Sequence, residues 1–290
     1  MGENSLALFC DAHFHLLPSE EAVGTESLPR GRGVTAAHFV DEFLAQEARV
    51  QELNGGTPAS GGAQSLSCKK SSGGAPASQA CEQSPLLLQS FGLHPQEPLL
   101  ENLPFLEGLL QEKRVQAVGE CGLDFFTPEF SANRAAQEKA FAAQLELAAR
   151  YGFPAIVHAR KAMQEIFAAA AALKKVPAVV FHSFAGSPMD ARSLLDKGIN
   201  AYFSFGKPLM NGNKKAISCV RRLPADRLLL ETDAPYQTLR GERATSPAEI
   251  ADVYQAAFEL RTAGSPFEAR PSFFEFEKKL EENFFKAYGL

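Results

Sequence analysis

The sequence predicts a single (β/α)8 barrel, and three observations carry that expectation. Short apolar stretches that read as buried strands alternate with helical patterns, which implies a parallel sheet with helical crossovers. The 290 residues suit one barrel of about 250 residues with modest additions, and neither an internal repeat nor a clear linker divides them. Side chains able to hold a metal recur where the apolar stretches end, and a parallel barrel gathers its active site at that end of its strands.

Seven strands are legible: Leu6 to Cys10, Leu86 to Gly92, Val115 to Val118, Ala155 to Val157, Ala178 to Phe181, Ala201 to Phe205 and Arg227 to Leu230. An early helix is expected over Thr35 to Leu53. The stretch Asn54 to Ser84, rich in Gly, Ser and Ala, has the composition of a surface loop. A closed barrel needs one strand more, and Ala63 to Cys68 is the place it would fit. Arg134 to Arg150 is a helix by composition, with Phe141, Leu145 and Ala148 on one face. Lys161 to Lys175 repeats the pattern with Ile166, Phe167 and Ala170. Three helix starts share one chemistry: Ser187-Pro-Met-Asp190, Ser246-Pro-Ala-Glu249 and Ser265-Pro-Phe-Glu268. Each offers a capping hydroxyl, a proline in the first turn and a carboxylate that reaches back to free N–H groups.

Composition narrows the function classes. With 45% hydrophobic and 22% charged residues, residues 1–290 can bury one large core, which excludes a disordered or fibrous protein. The longest apolar run, Ile166 to Leu173, falls far short of the ~20 residues a membrane-spanning helix needs. Met1 to Leu6 carries neither a secretory signal pattern nor, with Leu6 where Ser or Thr is required, a myristoylation motif. The five cysteines form no C-x-x-C pair, so a reducing cytoplasm is expected. A net charge of −5 excludes a broad electrostatic grip on nucleic acid, but it leaves open a nucleic-acid substrate held at a metal centre.

The chemistry concentrates in a few segments. Asp11-Ala-His13-Phe-His15 follows the first strand, and in extended chain residues two apart face the same side, so both imidazoles can meet one ion. Glu120, His158 and His182 stand at the ends of three later strands, and Glu231-Thr-Asp233 follows the last. Singly, each has an ordinary explanation as a solvated, capping or hydrogen-bonded side chain. Their shared place at strand ends has none, and four histidines with two carboxylates make a divalent-metal site. His94, in Gly92-Leu-His94-Pro95, is expected to contact substrate or orient a ligand. His38 reads as a structural residue of the early helix. Arg160 is placed to grip a phosphate, whereas Arg240 and Arg243 read as surface charge.

These segments, with the closing helix over Leu280 to Leu290, resemble the TatD family of metal-dependent hydrolases: D-A-H-F-H (11–15), F-G-L-H-P (91–95), G-E-C-G-L-D (119–124), V-H-A-R (157–160), H-S-F-A-G (182–186) and E-T-D-A-P-Y (231–236). The resemblance implies a TIM-type barrel with one or two divalent ions, Mg2+, Mn2+ or Zn2+. His13, His15 and Asp233 would hold one, His158 and His182 the other, with Glu120 bridging. It also implies a deoxyribonuclease working from DNA ends in the 3′ to 5′ direction, with no membrane and no obligatory protein partner. Asp233 is then the expected base and proton shuttle. The chain departs from the family pattern at 54–84, where the second strand and helix belong, and at Arg240 to Pro247, which lacks the usual Asn before proline. An amide, ester or lactone hydrolase on the same centre is the alternative, distinguished by whether the rim is basic. A metal-dependent binding protein without catalysis is a third reading, and the full ligand set argues against it.

Overall fold

A computed structural model describes residues 9–16, 31–54, 86–264 and 270–290. Eight parallel strands lie in chain order: β1 (Cys10–Phe14), β2 (Arg32–Ala37), β3 (Leu86–Phe91), β4 (Ala117–Asp124), β5 (Ala155–Arg160), β6 (Val179–Phe181), β7 (Ala201–Phe205) and β8 (Leu228–Leu230). Between β8 and β1 the barrel is nearly closed just past β8: the Asp233 amide donates to the His13 carbonyl at 3.0 Å and the His15 amide to Ala234 at 2.7 Å. Around the sheet lie α1 (Val40–Leu53), α2 (Leu103–Gln111), α3 (Pro128–Ala132), α4 (Arg134–Tyr151), α5 (Met163–Ala168), α6 (Ala170–Leu173), α7 (Pro188–Asp196), α8 (Lys214–Arg222), α9 (Ile250–Thr262) and α10 (Phe273–Tyr288).

The sequence misplaces one strand. β2 lies at Arg32–Ala37, before α1 and not after it, and the expected strand at 63–68 falls outside the described residues. Thr35, read as the start of a helix, is mid-strand. The misreading has a steric cause: β2 is Arg-Gly-Val-Thr-Ala-Ala, with no large apolar residue to announce it. Small residues are required there, because a Cβ on Gly33 would come within 2.6 Å of the Phe14 ring. Segment 54–84 therefore replaces neither the second strand nor its helix.

Strand bounds shift in a way that matters for the site. β1 begins at Cys10, where the expected strand ended, so His13 lies within it. β4 runs on to Asp124 and β5 to Arg160, so Glu120 and His158 are inside strands and not at their ends. Glycines and charged residues read as strand breaks, yet all eight residues of β4 are buried. The helix expected over 161–175 divides at Ala169 (ψ 3°) into α5 and α6.

The expected caps at Ser187 and Ser246 are present. Ser187 accepts from the Asp190 amide, and its own amide donates to the Asp190 carboxylate. Ser246 repeats this with Ala248 and Glu249, so it serves as the residue before Pro247 that opens the last turn toward α9. The start expected at Ser265 lies outside the described residues, and Ser272 caps α10.

Inside the barrel, Val34, Leu88, Ile156, Val180, Tyr202 and Leu229 pack with Phe284 and Tyr288 of α10. α10 closes the N-terminal end of the strands: the Asn283 amide donates to the carbonyls of Ala225 and Leu228, and the Tyr288 hydroxyl to Ala12. A second layer, including Phe43, Phe91, Phe141, Phe181 and Phe203, fills the space between sheet and helices. With one end plugged, the C-terminal end of the strands is the open one.

Candidate metal centre

All six histidines of the chain meet at that open end, around the buried carboxylate of Glu120. Oε1 lies 3.2 Å from His94 Nε2, 2.7 Å from His158 Nδ1 and 2.8 Å from His182 Nε2. Oε2 lies 3.2 Å from His13, 3.9 Å from His15 and 3.5 Å from His38, each through Nε2. Asp233 Oδ1 is 3.7 Å from both His13 and His15. Every expected ligand is therefore brought together. So is His94, and so is His38, which is not a residue of the early helix but the first residue past β2.

Local backbone geometry aims these groups. On β4, Val118 and Cys121 pair with Ala155 and Val157 of β5, so Gly119 and Glu120 together face Ile156 alone. On β1, Asp11 and Phe14 pair with Gly33 and Thr35 of β2, so Ala12 and His13 face Val34 alone. Each is an extra residue in one strand, and such bulges re-aim a side chain. Both fall at a residue of the cluster. Gly122 (φ +139°) allows β4 and β5 to approach, since a Cβ there would stand 2.0 Å from the His158 carbonyl oxygen. Beyond the strands, Lys161, Ser183, Asp233 and Gln237 all take left-handed φ, an arrangement held at functional sites by the surrounding structure.

The electrostatics follow from crowding buried charges. Burial opposes ionisation of Glu120, yet the surrounding imidazoles, His182 and His94 foremost, hold its carboxyl well below the usual range. Burial likewise works against charge on His182, but Glu120 and Glu231 raise it well above the ordinary histidine value. His158 is raised by Asp124 and Glu120, and His15 by Asp233, each against burial. Burial and neighbouring histidines lower His13, and burial pushes His38 down to about 3. Burial opposes the charge of Asp233, which the hydrogen bond with His15 stabilises, so its carboxyl lies below the usual value.

Four further side chains hold the cluster, and the motifs contained three of them unrecognised. Asp124 Oδ2 is 3.2 Å from His158 Nε2 and accepts from Gln96 at 2.9 Å. Asp11 accepts from the Thr232 hydroxyl (2.6 Å) and from the amides of Thr232 and His13, stitching β1 to the segment after β8. Glu231 accepts from the Ser183 amide at 2.7 Å beside His182. Gln237 donates to Asp233 Oδ2 at 3.0 Å and to Ser183. Only the first three belong to the quoted motifs, where proximity to a ligand was the available signal.

Arg160 is exposed at the rim, its guanidinium 3.6 Å over the Phe126 ring. Arg240 and Arg243 are exposed in the segment after β8. Lys207, by contrast, is buried between the carboxylates of Glu242 (2.6 Å) and Glu249 (2.5 Å).

The donor set suits a divalent cation. Three groups bring ligand atoms within 4.8 Å of one another: His13, His15 and Glu120; His94, Glu120 and His158; and His13, His182 and Asp233. His13 is fully buried, yet neither ring nitrogen makes a hydrogen bond. An imidazole so placed, facing two carboxylates, has the chemistry of a metal donor. Imidazole with carboxylate accommodates Zn2+, Mn2+ and related ions. No described helix is long and apolar enough to cross a membrane.

Comparison with known proteins identifies the family. The 3′-5′ ssDNA/RNA exonuclease TatD of Cronobacter turicensis is 38% identical over 149 residues, 50% of this chain and 56% of that protein, so the match spans about half that relative's length. The uncharacterized metal-dependent hydrolase YabD of Bacillus subtilis is 31% identical over 64% of this chain and 74% of its own. Among solved structures, the TatD homolog YJJV of Escherichia coli K12 superposes with a TM-score of 0.71 at 27% identity, covering 97% of this chain and 98% of that one. The description TatD related DNase matches residues 10–289, and the chain belongs to that family.

Proposed function

We propose that the protein is a metal-dependent hydrolase that cleaves phosphodiester bonds at DNA ends, working 3′ to 5′. The observation that carries this reading is the Glu120 carboxylate, each of whose oxygens faces three imidazoles. It is supported by the family and by the names of the TatD relatives.

In this reading His13, His15 and Asp233 would hold one divalent ion and His158 and His182 a second, with Glu120 able to serve either. Bound ions supply Lewis-acid polarisation of a phosphoryl oxygen and make water a nucleophile at neutral pH. Asp233 is the general base. Its carboxylate, held at Oδ2 by the Gln237 amide and turned through Oδ1 toward His13 and His15, would take the proton of the attacking water. Asp124 fixes the His158 ring through Nε2 and so presents Nδ1 to the centre. Arg160 at the rim offers a guanidinium to the phosphate, and with Lys161 makes that side of the mouth basic, which favours a phosphodiester over a neutral amide, ester or lactone. We place the protein in the cytoplasm, a setting supported by the buried free thiols Cys10, Cys121 and Cys219.

The test is release of nucleotide from 3′-labelled single-stranded DNA by protein reconstituted with Mg2+, Mn2+ or Zn2+, beside Glu120→Gln. Release by the wild type and loss in the variant is expected. Equal release by both, or none by either with any of the three ions, refutes the assignment.

A further inference from the structure

Four aromatic side chains are exposed among the described residues: Phe39, Phe126, Tyr236 and Phe274. Three of them stand at the mouth of the metal centre. Phe39 adjoins His38, the Tyr236 ring meets the His15 ring edge-on at 5.2 Å, and Phe126 lies two residues past Asp124. Exposed apolar surface gathered at a site marks a ligand, not a core.

Phe126 is the one with charge attached. It is 44% exposed, its ring carries the Arg160 guanidinium at 3.6 Å, and Lys161 Nζ lies 4.8 Å from the ring centre. Its backbone is fixed as well, because its amide donates at 2.9 Å to Asp124 Oδ1, while Asp124 Oδ2 holds His158. One carboxylate thus ties the aromatic ring and a histidine of the centre into a single frame.

We infer that Phe126, with Arg160 and Lys161, is a stacking platform for an unpaired nucleobase of the strand entering the centre. The inference rests on the nuclease reading and adds to it what the rim recognises. A flat ring backed by a guanidinium binds any base through its π-face, while the two cations meet the phosphates on either side. A base within a duplex has both faces already stacked and cannot use such a platform without being drawn out. The platform therefore selects single-stranded ends without selecting sequence. The charge complementarity is local, since the chain as a whole is acidic.

The experiment uses oligothymidylates in which one nucleotide at a time near the 3′ end is replaced by an abasic residue. Base stacking on an aromatic ring corresponds to about 5- to 150-fold. For the wild type, one abasic position is expected to lower kcat/KM by a factor in that range. Phe126→Ala is expected to lower kcat/KM on the intact oligonucleotide by a similar factor and to lose the sensitivity at that position, while Phe126→Tyr keeps it. Equal slowing of all substrates by Phe126→Ala, or an unchanged abasic profile, overturns the platform. The same contrast is read without chemistry by fluorescence anisotropy of a labelled oligothymidylate in the presence of a chelator. Weaker binding by Phe126→Ala supports the platform even where no nucleotide is released, and equal Kd for wild type and Phe126→Ala overturns it. Failure of the nuclease reading shows separately, as absence of release by the wild type with every ion.

Discussion

Replacing Glu120 by Gln separates a metal centre from a mere histidine cluster, because the change keeps the shape and removes the charge that all six imidazoles face. The readout is the rise in Tm on adding metal. At a free ion concentration about 100-fold above Kd, binding to the folded state stabilises it by roughly 2.7 kcal/mol. Each kcal/mol moves Tm by about 2–4 °C in a domain of roughly 150–250 residues and by somewhat under 2 °C in this longer chain, so a rise of about 4–5 °C is expected. Glu120 belongs to two of the three groups of converging ligand atoms. Its loss is thus expected to weaken affinity at least as much as loss of an outer hydrogen-bond partner, up to about 100-fold. At the same ion concentration the residual stabilisation is then about 0.4 kcal/mol, a rise of about 1 °C. Each protein is compared with its own metal-free form, so a change in intrinsic stability does not enter. Differential scanning fluorimetry with a metal titration measures both. An equal rise in wild type and variant, or no rise in the wild type with any divalent ion, refutes the placement of Glu120 between the ions.

The remaining expectations probe the frame around that carboxylate. Metal binding should weaken as pH falls, because His182, His158 and His15 are raised above the ordinary value of 6.5 and must shed protons before they ligate. Calorimetry in buffers of different ionisation enthalpy should accordingly show proton release that persists above pH 6.5 and fades only as pH passes the raised values, and its absence just above 6.5 would contradict these shifts. Asp124→Asn should cost about 10- to 100-fold in metal affinity, measured by competition with a chelating dye, because the His158 ring loses its charged partner. Gly122→Ala, which sets a methyl 2.0 Å from the His158 carbonyl oxygen, should cost on the order of 3 kcal/mol by urea denaturation, and an unchanged midpoint would show that β4 and β5 can part freely there. Tyr254→Phe should cost about 1–3 kcal/mol in the same assay without altering the metal-induced Tm rise, since among the described residues the hydroxyl bonds the Cys10 amide and carbonyl at the start of β1.

What the sequence shows and what it hides have a common cause. The residues of the cluster were legible because imidazoles and carboxylates bordering apolar runs are chemically conspicuous. The strand bounds around them were not, for the same reason: Glu120 and the glycines beside it look like the end of a strand, whereas in the barrel they are its interior. β2 was invisible because the space beside Phe14 admits only small side chains, and a strand of Gly, Val, Thr and Ala carries little hydrophobic signal. Misplacing β2 concealed His38 too, since a histidine read into a helix has no reason to face the barrel mouth. The extra residues in β1 and β4 leave no mark in periodicity, because a bulge is defined by pairing with a neighbouring strand and not by the strand's own pattern.

The arrangement also explains how so many ionisable groups are buried together. An isolated buried carboxylate costs several kcal/mol, and two of them, Glu120 and Asp233, lie here within reach of the same histidine, His13. Raised basicity at His182, His158 and His15 lets bound protons stand opposite those carboxylates. A divalent cation held by these imidazoles would displace protons from them, so the exchange would change the local charge far less than adding the ion to a neutral site. The bulges at His13 and Glu120, the Asp11 bridge from β1 to the segment after β8 and the Asp124 contact to His158 hold the facing charges in place.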